Sequence, residues 1–151
     1  MEHKKQRFVD HQLRATWMAV AKMYNEEASK YDSTMAVAFL LLQIDKKEGT
    51  ASTALGPKMG MEPTSLSRLL KRIETNGLIY REKNPNDGRG VLIKLSPLGE
   101  EKRMTSKQSV MRFNEIVQSE FSTNELDIFF QVTNKIREMI TEKSIFDAVK
   151  K

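Results

Sequence analysis

The period of the sequence changes at Gly77. Upstream of it, Leu66, Leu69, Leu70 and Ile73 recur at i, i+3, i+4 and i+7, the spacing of one apolar helix face. Downstream, Val91, Ile93 and Leu95 alternate, as on a half-buried strand. The runs Leu78–Lys83 and Val91–Leu95 are short strands, and Asn84–Gly90 (NPNDGRG) between them is dense in turn formers. The spacing therefore predicts a mainly α chain carrying one small β-hairpin, with a long tip at residues 84–90.

The helix before the hairpin is predicted over Glu62–Asn76. Pro63 suits its first position, where a missing N–H costs nothing, and Glu62 then stands at the cap. Gly77 follows the last turn, where glycine can take the left-handed conformation that ends a helix. At about 100° per residue, Thr64, Arg68, Lys71 and Thr75 point away from the leucines. Ser65, Ser67 and Arg72 lie on the flanks. One face is built for a core; the other carries hydroxyls and cations, which bond phosphates and base edges. An ordinary solvated helix face would also carry charge. Location favours the first reading. Between Lys58 and Lys94 there are eight Lys or Arg against four Asp or Glu, which is most of the chain's net charge of +5.

The remaining segments read as helices. Lys5 to about Lys30 carries Val9, Leu13, Trp17, Val20 and Tyr24 at helical spacing. Trp17 and Tyr24 suit core or subunit packing, and they are also the candidate contacts for a small ligand. A helix capped by Ser33 or Thr34 is expected to run to about Lys47; it is apolar nearly all round and should be deeply buried. A weaker helix at Ala51–Met59, capped by Thr50 or Ser52, is shortened or kinked by Pro57 and points Leu55 and Met59 inward. With the turn at Gly60 and the basic helix after it, this makes a helix-turn-helix. Ser96 and Pro97 open a long helix that is polar in its first half and apolar at Phe113, Ile116, Val117 and Phe121 in its second. Ser122 and Glu125 form a capping box, with Phe121 and Leu126 spaced for a staple, for a last helix to about Val149. That helix holds more apolar surface than a small monomer needs, so it wants a partner, either the first helix or a second chain.

Several chemistries are missing. There is no cysteine, so no disulfide, thiolate metal site or thiol switch. Histidine occurs only as His3 and His11, without metal-ligand spacing, and His11 reads as a surface or packing residue. No activated nucleophile, carboxylate pair or phosphate loop marks an enzyme, and no cofactor is implied. No apolar run spans a membrane and no signal core follows MEHKKQRF, so a soluble cytoplasmic protein is expected.

Three segments in series resemble the MarR family of winged helix-turn-helix transcriptional regulators. SLSRLLKRIETNGLIYR (Ser65–Arg81) is similar to the recognition helix and first wing strand. Asp87 and Arg89 match the D-x-R of the wing tip, and LSPLGEE (Leu95–Glu101) matches the L-T-x-x-G segment with Ser96 in place of Thr. The resemblance implies a homodimer, with residues 1–31 and 98–151 as a helical dimerisation lobe and 32–97 as the DNA-binding lobe. It implies double-stranded DNA as partner, at a pseudo-palindromic operator. DNA contacts are expected from Thr64, Ser65, Ser67, Arg68, Lys71, Arg72 and Arg89. A small-molecule effector would bind between the lobes and release a repressor. Because hydroxyls and Arg read sequence, this reading is preferred to the alternative, a ligand-independent architectural DNA binder or a protein-interaction winged-helix module.

Overall fold

The computed structural model describes residues 7–147. His3, the expected helix start at Lys5 and the expected helix end at Val149 lie outside them. The chain divides into two compact units that meet at Ser109–Val110.

The first unit contains α1 (Val9–Ser29), α2 (Met35–Gln43), β1 (Thr50–Ala51), α3 (Ser52–Met59), α4 (Pro63–Thr75), β2 (Ile79–Asn84), β3 (Asp87–Leu95) and the first half of α5 (Pro97–Ser119). Its core is built from Val37, Leu40, Leu41 and Ile44, Leu55, the four apolar residues of α4, and Leu78, Ile79, Ile93 and Leu95. Each fully buried side chain in such a set contributes about 1.5–3 kcal/mol. As expected, no residue of α2 is exposed, and Met59 and Met61 pack against the core from its edge.

Several elements depart from the spacing-based expectation. The α2 helix stops at Gln43, not Lys47, because Ile44 is extended (φ −85°, ψ 124°). The Asp45 carboxylate then accepts the N–H groups of Lys47 and Glu48 at 2.9 and 2.7 Å, closing a turn. Those two bonds hold its carboxyl below the usual range. Thr34 caps α2 through Val37 N at 3.3 Å. Neither Thr50 nor Ser52 caps α3; Ala51 occupies that position without a side-chain bond. The buried Thr50 hydroxyl instead accepts from Asp45 N and donates to Gln43 O. Thr50 and Ala51 form a strand not foreseen from sequence, paired antiparallel with β3 at Thr50↔Ile93 and Ala51↔Leu92. The sheet order is thus β1-β3-β2.

The second unit holds the rest of α5, α6 (Thr123–Thr141) and α7 (Ser144–Asp147). The capping box at α6 is formed in both directions between Ser122 and Glu125. Its helix ends at Thr141 instead of running on, because Lys143 takes the left-handed conformation (φ 53°). No residue of α6 is buried within the single chain. Ile128, Phe129, Phe130, Val132 and Ile140 are each about half exposed. Among the described residues no helix is long and apolar enough to cross a membrane.

Candidate nucleic-acid interface

The α3 helix, the Gly60 turn and α4 form the helix-turn-helix, and Leu66, Leu69, Leu70 and Ile73 fasten α4 to the core. That fastening decides what the helix presents outward. Thr64, Ser65, Ser67, Arg68, Lys71 and Arg72 are all exposed. The start of α4 is uncapped by the Glu62 side chain. The first-turn N–H groups of Thr64 and Ser65 therefore have no intrahelical acceptor and add to the positive end of the helix dipole. The other end is closed by a Schellman motif. Gly77 (φ 75°) donates to Glu74 O, and Leu78 N to Ile73 O, both at 2.9 Å.

Arg68, Lys71, Arg72, Thr75 and Asn76 line a surface concavity of about 350 Å³. Three of its five lining side chains are cations, a charge suited to a phosphodiester. Thr75, already placed on the outward face, joins the expected contacts here, and Asn76 extends the site beyond the residues picked out by sequence. Among the described residues Arg68, Lys71 and Arg89 enter no ion pair.

Two side-chain struts flank this face. On one side Arg72 Nη2 donates to Thr34 Oγ1 at 3.4 Å, tying α4 to the start of α2. On the other, Arg81 Nε donates to Glu74 Oε2 at 3.0 Å, tying α4 to β2. Neither was visible in the sequence, because the partners lie 38 and seven residues apart with no motif joining them. The available signal for Arg81 is its place two residues after buried Ile79, on the same sheet face and opposite Ile93. On the opposite sheet face Lys94 pairs with Glu82 at 3.1 Å, and the carboxylate raises the ammonium pKa.

The wing tip is tighter than the expected long loop. Pro85 and Asn86 alone make the turn, and Asn84 faces Asp87 across it. The ladder resumes only at Lys83↔Val91, so Gly88, Arg89 and Gly90 bulge from β3. Asn84 Oδ1 accepts from Asn86 N and Asp87 Oδ1 from Arg89 N, each at 3.0 Å, which fixes the backbone on both sides of the turn. A bulge re-aims its side chain, and the exposed Arg89 is the residue re-aimed.

The hairpin is fixed to α5. Ser96 caps that helix by accepting Gly99 N at 3.0 Å, and its hydroxyl also donates to Gly77 O. Ser96 N donates to Leu78 O at 3.0 Å. Recognition helix, wing and α5 thus converge on the Gly77–Leu78 peptide.

The two candidate ligand residues are separate from this face. Trp17 is 54% exposed on α1. Tyr24, further along α1, sets its ring edge-on to Phe39 of α2, with centroids 5.4 Å apart. Burial raises the Tyr24 hydroxyl pKa.

Comparison with known proteins gives consistent matches. The MarR family model matches residues 34–91. The HTH-type transcriptional regulator BilQ of Clostridioides difficile is 27% identical over 105 residues, covering 69% of this chain and 71% of BilQ. The transcriptional regulator SlyA superposes with a TM-score of 0.79 at 16% identity, covering 93% of this chain and 99% of SlyA. MepR of S. aureus, solved as a DNA complex, superposes with a TM-score of 0.77 at 16% identity over 91% of this chain and 99% of MepR.

Proposed function

Because the chain belongs to the MarR family, whose members are transcriptional regulators and not enzymes, we propose that it binds operator DNA as a homodimer. It acts there as a repressor that a small effector releases. The observation that carries the reading is the outward face of α4, held by four buried apolar residues so that Arg68 and Lys71 point away from the core. Thr64, Ser65 and Ser67 contact base edges or phosphate from the first turns. Arg68 reads a base, Lys71 and Arg72 hold the backbone, and Arg89 enters the flanking minor groove. Residues 1–31 and 98–151 serve dimerisation and residues 32–97 bind DNA. Trp17 and Tyr24 of α1 are the proposed effector contacts. Selection of bound sequences from random duplex DNA tests the reading. It should enrich a pseudo-palindrome with half-sites about one helical turn apart; enrichment of nothing, or of DNA without sequence preference, would sink it.

Two expectations follow from exposed groups. The apolar residues left uncovered at Phe8, on α1 (Val9, Leu13, Trp17, Met18) and on α6 support a dimer. Analytical ultracentrifugation at micromolar concentration should show a dimer, and a well-folded monomer there would remove the proposal. Arg89→Ala should weaken binding most on sites with A·T-rich flanks, whose narrow minor groove attracts an inserted guanidinium. Titrations against duplexes differing only in their flanks measure this, and equal affinity for both proteins on every flank would make Arg89 an ordinary turn residue.

A further inference from the structure

A carboxylate in the last turn of a DNA-reading helix is an electrostatic liability, yet Glu74 stands there. Ser67, Lys71 and Glu74 follow at i, i+4 and i+7 and form one stripe along the flank of α4. The wing meets that stripe. Arg81 lies on the sheet face it shares with Ile79 and Ile93, and its Nε donates to Glu74 Oε2 at 3.0 Å. Both side chains remain more than a third exposed, at 38% for Arg81 and 39% for Glu74. The bond uses the Nε edge of the guanidinium. Donors on the two Nη atoms remain, on a planar group whose orientation the carboxylate fixes.

We propose that Arg81 is a further DNA-backbone contact and that Glu74 is its positioning residue. The proposal rests on the DNA-binding reading above. Arg81 is held against Glu74, which follows Lys71 by one turn on the same stripe, so it would extend backbone contacts from the helix to the hairpin. Glu74 holds the long side chain in place before DNA arrives, which removes part of the ordering cost at binding. It also ties the wing to the recognition helix, fixing the separation of the two groove-facing elements.

Charge alone and positioning predict opposite signs for the loss of Glu74. Removing a carboxylate near phosphates should tighten binding if only charge matters. Positioning requires that Glu74→Ala weaken it. The test is a double-mutant cycle with Glu74→Ala, Arg81→Ala and the pair, titrated against the duplex most enriched from random-sequence DNA, with thermal melts alongside. Arg81→Ala should flatten the salt dependence by about one unit per subunit. Glu74→Ala should weaken binding about threefold or more per subunit, and that loss should vanish in the Arg81→Ala background. Glu74→Gln, whose amide oxygen can still accept the Nε–H, should restore affinity relative to Ala. Unchanged or tighter binding by Glu74→Ala overturns the inference. So does a loss that persists without Arg81, which would mark the strut as a fold contact only. A parent chain that binds no duplex overturns the DNA-binding reading itself, and the inference with it.

Discussion

Arg68→Ala should cost about 1–3 kcal/mol at each half-site and relax the preference at one base position in each. A symmetric dimer incurs the loss twice, so affinity for the selected operator should fall by roughly 30-fold to 10⁴-fold. The reason lies in how α4 is held. Its buried face is fixed by Leu66, Leu69, Leu70 and Ile73, which are at most 8% exposed, so the helix cannot roll to hide or substitute the residue opposite them. Arg68 is that residue, and its guanidinium presents a planar pair of donors that fits the O6 and N7 acceptors of guanine. Lys71 sits one turn later and lines the same concavity. Its ammonium is a compact point charge without that geometry. Lys71→Ala should therefore weaken all sequences alike and flatten the salt slope by about one unit per site. Titrating both variants against the operator and single-base variants of it separates the two losses. Full base preference in Arg68→Ala would move specificity to Thr64, Ser65 or Ser67. Unchanged affinity would mean that α4 does not enter the groove.

Gly99→Ala should destabilise the fold by about 3 kcal/mol or more, lowering the melting temperature by roughly 10 °C. A Cβ at Gly99 would lie 1.9 Å from Leu78 O and 2.9 Å from Leu78 C. These are backbone atoms with no room to yield. Leu78 is 7% exposed, its N–H donates to Ile73 O, and its carbonyl already accepts Ser96 N. Relief requires moving the first turn of α5, which breaks the Ser96 bonds to Gly77 O and Leu78 O, or the start of β2, which breaks the Leu78 bond that ends α4. A thermal melt decides it: a variant with the parental midpoint would mean that α5 can lift from the Gly77–Leu78 peptide without cost. Loss of DNA binding should accompany the loss of stability, because the same peptide ends the recognition helix.

What could be read from sequence was what periodicity and end signals carry. The buried face of α4, the Ser96 cap and the Ser122–Glu125 box each depend on residues within a few positions of one another. Local chemistry decided them, and local chemistry is what a sequence displays. The misplacements have a different cause. Ile44 continues the apolar pattern of α2, but its backbone has already left the helix; composition cannot separate a buried helical isoleucine from a buried extended one. The α6 helix breaks at Lys143, a residue with no turn preference to announce it. Thr50 and Ala51 are too few to show an alternation, and their strand exists only because β3 offers a partner. In the site, the exposed face was legible from the leucines opposite it. The struts Arg72–Thr34 and Arg81–Glu74 were not, since tertiary packing alone brings their ends together.

The strand order β1-β3-β2 bears on how the protein behaves when copies crowd. β3 is paired on both sides at Leu92 and Ile93, so the sheet is closed at that point. Of the two edge strands β1 has only two residues, while β2 has six and leaves the longer open row of backbone donors and acceptors, and an open row can recruit a strand from another molecule. Arg81, Glu82 and Lys83 are consecutive on that strand, and Pro85, which has no N–H to offer, follows at its end. Neighbouring molecules side by side on DNA can therefore be pressed together without their hairpins zipping into a shared sheet.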